Sequence, residues 1–216
     1  MAGTVGYRLA GWPIVGWCAL VLMALMTAIL GVQGVGEAGL RAAVRTSAQT
    51  SFVLFTSAFS ASALCAIWPS PLTRWMLPNR RYLGVSFAVS HFIHLVAIIA
   101  LAERLGDQLK LDPATLVGGG LAYVFITAMT ATSFDRTAAW IGPRAWRRLH
   151  TTGGYYIWFI FFISYAPRAA TTSAWYAPFV FILLAVIALR AVVWLRSRRR
   201  SPGGGGRPLR AVRQPG

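Results

Sequence analysis

Acidic residues are scarce in this chain. Its 216 residues hold five, at Glu37, Glu103, Asp107, Asp112 and Asp135. None lies inside an apolar run long enough to cross a membrane, so the carboxylates used by proton- or cation-coupled transport are missing. Paired interrupted helices and an internal repeat, the other marks of a transporter, are missing too. Cysteine is rarer still. Cys18 and Cys65 lie in separate apolar runs with no CxxC spacing, which excludes a disulfide framework or zinc motif. Both read as small buried hydrophobes.

What remains is apolar. The composition is 56% hydrophobic and 12% charged, too greasy for a soluble domain of this length. Six runs approach the roughly 20 apolar residues that cross a bilayer: 12–32, 51–68, 82–102, 115–133, 150–167 and 175–195. The expected fold is all-α, a six-transmembrane-helix bundle with both termini cytoplasmic. Residues 1–11 form a short N-terminal segment, 12–195 the membrane domain and 196–216 a disordered basic tail. The first run follows Arg8 and looks at first like a signal peptide. It is longer than a typical signal core, with no A-x-A site after it, and is read as a retained span.

A net charge of +16 suggests nucleic acid until the cations are placed. On one side of the six runs stand Arg8, Arg74, Arg80, Arg81, Arg136, Arg144, Arg147 and Arg148, with seven more arginines in the tail. The other side holds Arg41, Arg45, Arg104, Lys110 and Arg168, and four of the five acids. This is the positive-inside asymmetry of a multi-pass protein. It predicts a bacterial plasma (inner) membrane protein whose first partner is lipid, with no role for nucleic acid. The tail, with no apolar periodicity, is suited to anionic lipid.

Trp12, Trp68, Trp75, Trp140, Trp146, Trp175 and Trp194 fall near the span ends, as interfacial belts do. Asn79 is the expected start of the third helix and Asp112-Pro113 of the fourth. Between spans four and five, TSFDRTAAWIGPRAWRRLH reads as a short interfacial helix broken at Gly142-Pro143.

Chemistry concentrates in two stretches. The third span reads RRYLGVSFAVSHFIHLVAIIALA, and helical spacing puts Arg80, Gly84, Phe87, His91 and His94 on one side. His94 lies roughly 21 Å beyond Arg80. An imidazole at that depth faces a cofactor, a cavity or a partner, or is a neutral side chain hydrogen-bonded to a neighbouring helix. The fifth span opens RRLHTTGGYYIWFIFFISY, with His150 at the boundary and Gly153 and Gly154 one turn above. Paired glycines serve close helix packing; they also leave room for a flat macrocycle. The aromatic residues from Tyr155 to Phe162 surround the helix and read as lipid-facing and core packing. Spans three and five run the same way, so His94 and His150 sit at different depths and belong to two stacked sites. A single metal held by His91, His94 and His150 is disfavoured by that mismatch and by the lack of carboxylates.

These residues carry a resemblance. Arg80, Arg81, Leu83, Gly84 and His94 match RRxLG with a histidine fourteen residues after the first arginine, and 141–150 match LGxRxWRRLH with Ile141 for the leucine. Together they resemble the ferric reductase-like transmembrane domain family. The nearest short members are the haem-binding membrane subunits of the periplasmic methionine sulfoxide reductase system. The likeness covers roughly residues 50–195.

The resemblance implies haem b, one or two, held between spans three and five. His94 would ligate an outer haem and His150 an inner one, with Arg80 near the open side or the propionates of the latter. The implied role is the electron-transfer subunit of an oxidoreductase. Its donor would be quinol or a separate flavoprotein, and its acceptor an outer, periplasmic redox partner. The family places a second histidine thirteen or fourteen residues into span five, where this chain has Ile163 and Ser164. An outer haem is then five-coordinate, ligated differently or absent, with His91 available as a substitute ligand or as a hydrogen-bond partner. The competing reading is a cofactor-free or haem-depleted scaffold subunit.

Overall fold

The computed structural model describes residues 9–108 and 113–199. Six α-helices make up nearly all of it: α1 Trp12–Gln33, α2 Glu37–Ile67, α3 Pro71–Leu105, α4 Pro113–Ala131, α5 Asp135–Thr171 and α6 Ala177–Arg199. No strand occurs among the described residues. α1, α2, α3, α4 and the segment Ala174–Arg199 are long and apolar enough to cross a membrane. The chain is therefore built as a multi-pass membrane protein. α5 is not among the five. It carries Arg144, Arg147 and Arg148 towards one end and Arg168 towards the other, with Thr151, Thr152, Gly153, Gly154 and Ser164 between.

Several elements extend past their apolar runs. α2 begins at Glu37, not near 51, because a polar first third is held by its neighbours. An ion pair joins Arg41 Nε to Glu37 Oε1 at 2.7 Å, and Gly39, Ala43, Ser47 and Ser51 form a buried stripe at intervals of four. Small residues in that spacing let helices approach closely, and α2 packs on α3 more extensively than any other pair. The expected start of α3 at Asn79 is corrected. The helix opens at Pro71, where Ser70 and Thr73 form a capping box. α6 continues through Arg199, so the basic tail starts later than residue 196; residues 200–216 and 1–8 lie outside the described part. Cys18 and Cys65 are free and half-buried rather than buried.

Asn79 has a different task from the one expected. It is buried within α3, accepts a hydrogen bond at Oδ1 from the Gly11 backbone N–H (3.0 Å), and donates through Nδ2 to the Trp75 carbonyl (2.9 Å). It ties the start of α1 to α3, helped by Trp75 Nε1 donating to the Leu9 carbonyl at 2.8 Å. Asn79→Ala leaves the partly buried Gly11 N–H without its side-chain partner. Such a loss costs about 1–3 kcal/mol, measurable as a lowered thermal midpoint in detergent. A midpoint equal to the parent's would show that water replaces the bond.

α2, α3, α4, α5 and α6 pack each on the next, and α6 returns to α2; α1 lies outside against α2 and α3. α3 and α5 are not close neighbours in this ring. The space between them is central, and its core draws Phe52 and Phe55 from α2, Phe87 from α3, Ile126 from α4, Ile157, Phe161 and Tyr165 from α5, and Leu183 from α6.

Candidate functional site

That central space is filled by rings at one end and open at the other. At the open end lies a cavity of about 710 Å³, within the roughly 300–1,000 Å³ typical of small-molecule and cofactor sites. Every helix of the ring contributes to its wall. Phe55 and Phe59 come from α2, Arg80, Arg81, Gly84 and Phe87 from α3, Ile126, Met129 and Thr130 from α4, His150 and Gly154 from α5, and Arg190 from α6. Arg80 and His150, seen in the sequence as parts of separate motifs, share this cavity.

His150 is held by two neighbours. Its Nε2 lies 3.1 Å from Thr132 Oγ1, and its ring stacks on Trp146 one turn earlier, centroid to centroid 4.2 Å. Trp146 in turn donates through Nε1 to the Thr132 carbonyl at 3.0 Å. This tryptophan, expected in an interfacial belt, instead braces the imidazole against the end of α4. The chain enters α5 through a kink at Gly142, whose φ of +77° suits glycine. The break expected at Gly142-Pro143 therefore exists, and it turns 135–141 away from the rest of α5. Across the cavity's rim, Arg81 Nη1 meets Asp135 Oδ1 at 2.7 Å. Asp135 is almost fully exposed, so this pair contributes little to stability, but it neutralises Arg81.

The glycines separate into different roles. A Cβ on Gly153 would meet Met129 Sδ at 2.8 Å and Phe125 Cδ1 at 3.1 Å; this glycine serves the packing of α5 on α4. A Cβ on Gly154 would meet Phe59 Cε2 at 3.1 Å, so its bare edge is covered by a ring that also lines the cavity. Gly84 differs. A Cβ there would meet nothing within 4 Å, and the residue lines the cavity, so it leaves a flat patch of wall beside Arg80.

The other predicted site residues lie elsewhere. His94 is half-buried with Nδ1 3.0 Å from Ser47 Oγ, the neighbouring-helix partner that the alternative reading of a membrane histidine expects. Below it, Ser51 and Ser90 share a buried hydrogen bond of 2.9 Å. The His91 ring sits 5.2 Å from that of His94, 5.0 Å from Tyr123, 5.3 Å from Phe87 and 6.1 Å from Phe161. Its Nδ1 is buried with no hydrogen-bond partner among the described residues. Ser164 is half-buried, and its carbonyl accepts from Arg168 Nη1 at 2.7 Å. Neither His91, His94 nor Ser164 lines the cavity. No group of three or more metal-ligating side chains occurs among the described residues.

Arg190 escaped the sequence reading. Every other cation flanks a run; this one stands inside the last, in FILLAVIALRAVVWL. An arginine within an apolar run is itself the signal. Comparison with known proteins adds nothing: no family model, no curated protein and no solved structure matches this chain.

The walls suit a flat, apolar, negatively charged group. Phe55, Phe59, Phe87, Ile126 and Met129 supply apolar surface, Gly84 a bare patch, His150 an imidazole, and three arginines unpaired positive charge. A haem has these complements: an apolar macrocycle, an iron that takes axial histidine, and carboxylates at its edge.

Proposed function

We propose that this chain is a bacterial inner-membrane electron carrier that holds haem b in the central cavity. Both termini face the cytoplasm, and α5 crosses as the sixth span. The supporting observation is the convergence of Arg80 and His150, from two distant motifs, on one cavity of cofactor size. In this reading His150, which now meets Thr132, would hold the haem iron through its imidazole, and Trp146 would keep that ring oriented by stacking. Arg80 and Arg147 meet one carboxylate near the cavity mouth. The bound haem supplies one-electron chemistry; the protein fixes its position and excludes water with Phe55, Phe59, Phe87 and Ile126. Electrons come from quinol or a separate flavoprotein and leave to an outer partner.

We assign one haem rather than two. Ser164 stands where the resemblance expects a second histidine, and Phe52, Phe161, Tyr165 and Phe179 pack ring against ring beyond the cavity. His94 is then a partner of Ser47, joining α3 to α2.

The test is the visible spectrum of the full chain purified from haem-replete cells. A Soret band is expected. A folded, colourless protein would favour the scaffold reading instead. His94→Ala is expected to keep the band at parent intensity per polypeptide, with a modest loss of thermal stability. Loss of half of the haem in that variant would restore the outer site.

A further inference from the structure

Four arginines line the cavity, and one carboxylate does: Arg80, Arg81, Arg147 and Arg190 against Asp135. Asp135 is taken up by Arg81. Arg80 and Arg147 are exposed and can be screened by water, whereas Arg190 is half-buried. Its guanidinium is fixed by two bonds: Nη1 donates to the Phe59 carbonyl at 2.8 Å and Nε to Tyr155 Oη at 3.3 Å. The plane lies over the Phe59 ring at 4.2 Å and near that of Tyr155 at 5.2 Å. Among the described residues Nη2 has no hydrogen-bond partner, and no ion pair to a carboxylate is formed by this residue. Tyr155, its contact on α5, stands five residues beyond His150, so Arg190 lies roughly 7 Å deeper in the bundle. A cation held rigidly at that depth is costly unless its charge is met.

We infer that Arg190 is the deep anion anchor of the cavity, receiving one carboxylate of a bound tetrapyrrole diacid through its free Nη2. The assignment rests on the cavity being a tetrapyrrole site, but not on iron or on His150. Phe59 and Tyr155 are its positioning residues: they hold the guanidinium so that its remaining donors need no reorganisation when a carboxylate arrives.

Metal-free protoporphyrin IX isolates this contact, because it carries both carboxylates and has no iron to ligate. The full chain in detergent is titrated with the diacid and with its dimethyl ester, and porphyrin fluorescence reports binding. The parent is expected to favour the diacid about tenfold, the size of one hydrogen bond to a charged group. Arg190→Leu should remove most of that preference, leaving only the part that Arg80 and Arg147 supply at the mouth. Arg190→Gln, which can still donate to the Phe59 carbonyl, should do the same if the Leu variant fails to fold, and Arg190→Lys should recover part of the preference. A diacid preference undiminished in Arg190→Gln overturns the inference, as does a parent chain that binds neither porphyrin or both equally. Failure of the haem reading looks different: the haem spectrum would ignore loss of His150 while the diacid preference still followed Arg190.

Discussion

His150→Ala is expected to remove the Soret band of the purified protein while leaving it folded and membrane-inserted. The imidazole is half-buried and belongs to no core cluster; it touches Thr132 and Trp146 at the cavity's edge. Its loss therefore vacates space that already adjoins a cavity and strands only a threonine hydroxyl, which retains the Ala128 carbonyl at 2.8 Å. Stability should change little. Haem affinity should change greatly: altering a partner that merely orients a metal ligand costs about 10–100-fold, and removing the ligand costs at least that. Haem content per polypeptide and the thermal midpoint, measured on the same preparation, separate the two effects. Added imidazole should restore part of the band by entering the vacated space. A variant with full haem content and an unshifted spectrum would falsify His150 as ligand. Trp146→Leu, which keeps the histidine but removes its stacking partner, should lower haem retention less and shift the reduction potential.

The helices were legible because their cause is local. A run of about 20 apolar residues has few choices in a bilayer, since every backbone donor must be satisfied within the segment. The runs behind α1 and α3 therefore lie within the helices found, and those behind α4 and α6 overrun theirs by two residues at one end. α2 shows only its apolar half in the sequence, since Arg41 and Arg45 mask a buried stripe in which Gly39 packs against the Gly34 backbone and Ser47 meets His94 of α3. Asn79 had the right residue type for a cap, but Ser70 and Pro71 had better cap chemistry nine residues earlier.

The site was half legible. Arg80 and His150 could be singled out by type and spacing, and the structure brings them to one cavity. Thr132 and Trp146 could not, because their contact with His150 depends on the angle at which α5 leaves the kink at Gly142. Arg190 was readable and missed: counting cations by the loops they occupy passes over the one inside a span. The separation of Gly84 from Gly153 and Gly154 lies beyond sequence altogether, since all three look alike until the neighbouring helices are in place.

The largest loss of stability is expected from Phe52→Ala. Phe52 is 1% exposed, and its ring meets Phe161 at 5.6 Å, Tyr165 at 5.5 Å and Phe179 at 5.1 Å, each edge to face. One side chain on α2 thereby fastens α5 and α6 to the far end of the ring from the cavity. Burying a phenylalanine in a water-soluble core is worth about 3–5 kcal/mol on truncation to alanine. In lipid the transfer part of that figure shrinks, because a ring leaving the protein enters hydrocarbon rather than water. The packing part remains, since Tyr165 and Phe179 stack at 4.8 Å in a fixed arrangement that cannot close over the void. We therefore expect about 3 kcal/mol, the lower end of that range, read as a fall in the midpoint of unfolding in mixed micelles. Phe161, which also touches Phe55 and Phe87 of the cavity wall, would lose its support, so porphyrin binding should weaken as well. If the rings instead stand aside for a second haem, Phe52→Ala would raise the haem-to-protein ratio towards two, and the assignment of one haem would fall with it.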